Sequence, residues 1–218
     1  MSVLEQMDKF IQLYYMFMNK ILPRDFKINL GSTRRSFFLI SLLVISCNTT
    51  IYDRTELNYG EELERLATEF ELPAEYLKAL VILESSGRKT VPSRYEKHVY
   101  ARLKDLKNGK RKRYETLRPR HLKDASNAAL KNLASSWGPF QLMGYKCLAL
   151  GVNISDIRGE NALYWGVFWI NNEYGDYLRQ NKFEEAFRIH NTGSPTGKTY
   201  NSNYVSEGLK HIAYFKSE

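Results

Sequence analysis

The sequence predicts a single all-α domain behind a short export-like segment, and three observations carry that prediction. Beyond Cys47, apolar residues recur at helical spacing in one segment after another. No sustained apolar–polar alternation marks a strand. Helix punctuation stands at the edges of the periodic segments: Pro73 suits a first turn, and Gly87, Gly151 and Gly193 fall where C-caps belong.

The elements follow in chain order. Phe37 to Ser46 reads FFLISLLVIS just after Arg34-Arg35-Ser36. That run is shorter than the roughly 20 residues a membrane-spanning helix needs. A basic flank, a short apolar core and a small residue at its end are the parts of a secretory signal. Residues 1–46 therefore read as an export segment, with Met16 or Met18 as alternative starts because the leader is long. Thr33 to Leu39 also resembles a twin-arginine motif, and an ordinary buried segment with a chance cysteine is the bland alternative. Residues 47–60 read as a linker.

From residue 61 the helices begin. Asn58 and Glu61 form a plausible cap pair ahead of Leu63, Leu66, Ala67 and Phe70. A second helix carries Leu77, Leu80 and Val81. Ser93 and Glu96 form a capping-box pattern before Val99, Leu103 and Leu106. Further helices are expected over 125–134, 140–150, 156–174, 182–190 and 202–215, with no internal repeat. Residues 61–218 make one domain, interrupted by a basic insert at about 102–123. That insert holds ten Lys or Arg against Asp105 and Glu115. A solvated loop is its ordinary reading.

The chain has 218 residues, 43% of them apolar and 13% aromatic, which is enough to build a core. Its formal charge of +8 fits an anionic partner: nucleic acid, a membrane face or an acidic wall polymer. Removing residues 1–46 takes away six basic and three acidic residues and leaves +5. Two cysteines, Cys47 and Cys147, give no disulfide framework, and Cys147 reads as a small buried hydrophobe. The four histidines are scattered, and no metal-binding, phosphate-loop or serine-hydrolase motif appears. No metal and no cofactor are expected.

On the second helix, Leu77, Leu80, Val81 and Glu84 share one face at i, i+3, i+4 and i+7. A carboxylate at the end of a buried stripe should hold its proton more tightly, which suits a general acid. Gly87 places Glu84 at the helix end, open to a cleft, with Ser85 and Ser86 able to hydrogen-bond it or a substrate. An ordinary solvated glutamate before a Ser-Ser-Gly stop has the same spacing.

Four motifs in order carry a family resemblance. Glu84-Ser85-Ser86-Gly87 resembles the catalytic ESSG motif of soluble lytic transglycosylases and goose-type lysozymes, glycoside hydrolase family 23. Ser136-Trp137-Gly138-Pro139-Phe140-Gln141-Leu142-Met143 resembles the family's second motif, and Ala186 to Gly193 its third. Tyr204-Val205 resembles the pair that opens its last helix. The resemblance implies a lysozyme-like fold with a sugar groove and peptidoglycan glycan strands as substrate. Glu84 would be the acid and then the base that closes a 1,6-anhydromuramoyl ring. It further implies that Gln141 and Asn191 hold sugar groups, that Tyr204 lines the groove near Glu84, and that Phe140 forms an apolar wall.

Where the family has tyrosine in its third motif, this chain has His190, on the stripe Phe183, Ala186, Phe187. A core histidine and a substrate-binding one both fit. The long stretch between Glu84 and Gly138 contains Arg94 to Tyr100, a pattern similar to that of phage and bacterial muramidase-like relatives. Glu96 is therefore either a possible second acid that positions water or the capping partner of Ser93.

Val44-Ile45-Ser46-Cys47 resembles the lipobox of bacterial lipoproteins. It implies lipidation at Cys47 and attachment to a membrane in the cell envelope, facing the periplasm; a monomer is expected. Three competitors remain: a hydrolytic muramidase of the same fold, a noncatalytic peptidoglycan-binding lipoprotein, and a nucleic-acid binder using the basic insert. No nucleic-acid partner is expected for an exported chain.

Expressed from its own start in bacteria fed a labelled fatty acid, the protein should take up label, and Cys47→Ala should abolish the uptake. Equal labelling of that variant would remove Cys47 as the lipid site.

Overall fold

A computed structural model of the chain describes residues 49–217. The expected export segment, the alternative starts Met16 and Met18, and Cys47 lie outside the described residues. Thr50 caps helix α1 (Ile51–Thr55): its hydroxyl accepts from the Asp53 N–H at 3.1 Å, and the Asp53 carboxylate accepts from the Thr50 N–H at 2.9 Å. A π-helical turn, Glu56–Gly60, follows directly. Residues 51–60, expected as linker, are thus folded. The cause is packing: Thr55 and Gly60 are buried, and Tyr52 stacks on Tyr214 with ring centroids 3.6 Å apart.

Helix α2 (Glu61–Phe70) buries Leu63, Leu66 and Ala67. Its expected Asn58–Glu61 cap does not form, because the Asn58 amide donates to the Gly87 carbonyl at 2.8 Å. Helix α3 (Ala74–Ser85) begins after extended Pro73. It is buried on more than the predicted stripe: Tyr76, Leu77, Ala79, Leu80 and Val81 are fully inaccessible. A helix apolar nearly all round belongs at the centre, and α1, α2 and the last helix, α10 (Tyr204–Ser217), all pack on it. Lys78 on α3 is only 8% exposed, and its Nζ lies 2.7 Å from both Glu56 and Glu64. Burial alone would depress its pKa; the two carboxylates outweigh that and raise it.

The middle of the chain departs most from expectation. A small antiparallel sheet, in order β1–β2–β3, joins β1 (Arg94–Tyr95), β2 (Ser135–Trp137) and β3 (Leu142–Met143). Arg94 pairs with Ser136, and Trp137 with Leu142. The helix expected over 140–150 shrinks to α6 (Lys146–Leu150). Gly138 and Gln141 both take left-handed backbone, φ +71° and +49°, and that turn sends Leu142 back along Trp137.

Helix α4 (Lys97–Lys107) starts at Glu96 itself, with no side-chain cap, so the Ser93–Glu96 capping box is absent. The basic insert is a solvated loop over 108–113, all exposed, but Leu106, Leu117 and Leu122 pin its flanks to the core at 0–1% exposure. Helix α5 (Asn127–Leu133) is capped by the Ser126 hydroxyl, which accepts from the Ala129 N–H.

The helix expected over 156–174 is two. An extended Gly159 separates α7 (Ile154–Arg158) from α8 (Ala162–Arg179), which kinks at Tyr174, where φ is −151°. Helix α9 (Phe183–Thr192) buries Phe183, Ala186 and Phe187, as its stripe predicts, and Gly193 closes it in left-handed backbone. Cys147 is a buried free thiol whose pKa burial pushes up to about 11.

Helix α10 can lie close over α9 because residue 208 is glycine. A Cβ there would stand 2.5 Å from Cζ of Phe187. Gly208→Ala should therefore cost about 1–3 kcal/mol by overpacking, despite alanine's better helix propensity. Urea unfolding checks it, and a gain in stability would contradict this packing.

Candidate active site

Glu84 stands on the last turn of α3, where two adjoining cavities of about 380 and 850 Å³ meet. Arg94, Glu96, His98, Gln141 and Asn191 also line both. The Tyr204 hydroxyl, arriving at the first residue of α10, donates to Glu84 Oε1 at 2.5 Å. Burial first, and then the neighbouring Glu84 charge, hold the Tyr204 phenol well above its ordinary pKa. Tyr204 is therefore a permanent donor, and it leaves Oε2 of Glu84 for chemistry.

Behind the carboxylate lies a chain of buried donors. Tyr76 donates to the Tyr174 hydroxyl at 3.5 Å. The Tyr174 hydroxyl is 2.7 Å from His190 Nδ1, and His190 Nε2 is 3.2 Å from the Phe140 carbonyl. A carbonyl only accepts, so Nε2 carries the proton and Nδ1 accepts from Tyr174. Burial pushes the His190 pKa down; the Glu84 charge and the Phe140 carbonyl oppose that push, and Lys146 adds to it. The neutral ring sits with Nε2 3.9 Å from Glu84 Oε1. The kink at Tyr174 aims its hydroxyl at the histidine.

The residues singled out in the sequence fare unequally. Glu84, Gln141, His190, Asn191, Ser86 and Tyr204 all face the groove. Gln141 is held in place, because the Ser136 hydroxyl donates to its Oε1 at 2.6 Å and its amide donates to the Gly138 carbonyl. Ser85 touches the groove, but its hydroxyl is spent on the Val81 carbonyl at 2.8 Å. Phe140 is not a groove wall. Its ring is 2% exposed and packs on Gly166, where a Cβ would lie 2.4 Å away, so only its carbonyl serves the site. The His190 side chain is 6% exposed, as a core histidine would be, and it also lines the smaller cavity.

Glu96 faces the same cavities as Glu84, with its oxygens 2.7 Å from Arg94 and 3.5 Å from His98. The insert also reaches the groove through Arg102, Tyr114 and Glu115. Glu115 accepts from the Tyr145 hydroxyl and pairs with Lys146 at 2.6 Å. Sequence reasoning missed Tyr76, Tyr174, Trp169, Tyr145 and Lys146. Their spacing marks them only as core or surface residues, with no motif to set them apart. Trp169 Nε1 is the one buried side-chain polar atom without a partner among the described residues. Among the same residues, no group of three or more His, Cys, Asp and Glu could hold a metal ion.

The neutral histidine has a consequence for stability. Its folded pKa lies below the ordinary 6.5, so the unfolded chain binds a proton first as pH falls. The stabilisation is complete above pH 6.5 and is lost as pH drops through the depressed folded value. His211 is depressed too, chiefly by burial, so the His190 share is read by difference. Urea midpoints should fall below pH 6.5, and His190→Gln should flatten part of that slope; an unchanged slope would show that the ring is not held neutral.

The fold is similar to the crystal structure of a Burkholderia AP3 phage endolysin, with a TM-score of 0.52 and 20% sequence identity over 76% of this chain and 78% of that one. No family model matches the chain, and no curated protein does. The described chain is an all-α, lysozyme-like fold whose groove runs past Glu84.

Proposed function

We propose that the protein is a lytic transglycosylase that cuts peptidoglycan glycan strands between N-acetylmuramic acid and N-acetylglucosamine. The observation that carries this is Glu84 at the junction of two cavities, with Tyr204 fixed on one of its oxygens. The ordered family motifs and the likeness to an endolysin support the same substrate class.

In this reading, protonated Glu84 gives its proton from Oε2 to the glycosidic oxygen, and the C1–O bond breaks. The resulting carboxylate then takes the proton of the muramoyl 6-hydroxyl as that oxygen closes on C1. One carboxylate suffices because the sugar supplies the nucleophile, whereas hydrolysis ordinarily needs two. Gln141 and Asn191 bind sugar amide and hydroxyl groups, and wholly exposed Tyr200 offers its face at the rim of the larger cavity. The lipobox-like Val44 to Cys47 supports membrane attachment in the envelope.

A second reading, hydrolysis by a muramidase of the same fold, draws on one observation. Glu96 opens onto Glu84's groove and is not engaged with Ser93. A water activated there would replace the 6-hydroxyl.

Digestion of purified peptidoglycan, with products weighed by mass spectrometry, tests both. Glu84→Gln should slow cleavage by about 10²–10⁴-fold, and full activity in that variant would end the proposal. Products one water lighter than hydrolytic ones support the anhydro route. Reducing ends that disappear in Glu96→Gln support the second reading.

A further inference from the structure

We propose that the first helical segment of the described chain, α1 with its π-helical turn, is a clamp that positions Glu84 by gripping the turn behind it. The proposal rests on the role given to Glu84 above.

Helix α3 ends in two successive left-handed residues, Ser86 at φ +55° and Gly87 at φ +67°. Its last N–H groups are used inward: Ser86 donates to Ile82, Gly87 to Val81 and Arg88 to Ser85. The carbonyls of residues 86, 87 and 88 therefore point away from the helix and need donors from elsewhere. Three side chains of one segment supply them. Arg54 Nε donates to the Ser86 carbonyl at 2.9 Å, Asn58 to the Gly87 carbonyl at 2.8 Å, and the Tyr59 hydroxyl to the Arg88 carbonyl at 2.6 Å.

The contact is close as well as polar. A Cβ at Gly87 would stand 2.3 Å from the Thr55 hydroxyl oxygen and 3.1 Å from its backbone nitrogen. Glycine is thus required twice, for the left-handed turn and for Thr55's approach. Thr55 is fully buried, with its own hydroxyl donated to the Ile51 carbonyl. The π-helical turn explains why neighbours rather than a single face converge. Its wider winding brings Asn58 and Tyr59 to consecutive carbonyls, while Glu56 points back to Lys78 at 2.7 Å.

None of these residues lines either cavity at Glu84, so they act through the turn. Ser86 and Arg88 do line the larger cavity, so motion of the turn alters both the placement of Glu84 and the groove wall beside it. Arg54, Asn58 and Tyr59 are positioning residues, not catalytic ones.

The test uses the full chain with Asn58→Asp, Tyr59→Phe and Arg54→Ala, and with Arg54→Lys as the conservative variant. Hydrogen exchange of the amides of residues 85–92 should accelerate by at least about tenfold in the first three and not elsewhere in the chain. The cleavage kcat should fall by roughly 3–10-fold with little change in KM, and Arg54→Lys should recover part of it. Unchanged exchange, or faster exchange with unmoved kcat, would overturn the clamp. If the wild type cleaves no peptidoglycan, the functional proposal falls. Exchange at residues 85–92 then decides the grip alone, and unchanged exchange there sinks it.

Discussion

Helix α3 has almost no solvated side from Tyr76 to Val81, yet its last turn opens onto the groove. Helices α1, α2 and α10 each lie on it, and α10 carries Tyr204 to the groove. Burial supplies the holding force, at roughly 25 cal/mol per Å² of apolar surface. It also sets the dielectric in which the terminal carboxylate meets Tyr204 and His190. An interior helix usually ends in a solvated cap; this one ends in a carboxylate whose partner is a phenol from the far end of the fold.

The buried hydroxyls and the imidazole are a single satisfied network running from Tyr76 through Tyr174 and His190 to the Phe140 backbone. Such networks hold one arrangement because each member left unpaired in a low dielectric costs on the order of 1–3 kcal/mol. The direction of donation fixes the tautomer, and the tautomer keeps a neutral donor beside Glu84. Gly166 belongs to this account, since the Phe140 ring could not settle over a larger residue without dragging its carbonyl from His190.

Much of this was legible in the residues, and what was hidden has a common cause. Periodicity finds the stripe of α9 and the apolar run of α3 because helical burial repeats every turn. The motif order placed Glu84, Gln141, Asn191 and Tyr204 in one groove. It could not place Phe140, since an apolar residue next to a site residue reads equally as wall or core, and Gly166 sits 26 positions away. The helix expected over 140–150 was lost to two left-handed residues, and non-glycine Gln141 gave no hint of its backbone. The folded segment 51–60 looked like a linker because its donors answer carbonyls about 30 residues on, and carbonyls leave no mark in a sequence. Glu96 seemed to belong to Ser93 for the opposite reason: local spacing offered a partner that tertiary structure did not use.

The bond between Tyr204 and Glu84 spans 120 positions, while the grip on residues 86–88 spans only about 30. During synthesis the acid therefore emerges and can acquire its backing turn early, but its phenol and the helix that roofs α3 come off the ribosome far later. A nascent or prematurely terminated polypeptide would display the glutamate without a finished groove. On the proposed function, cleavage of wall polymer would therefore wait until translation has passed α10.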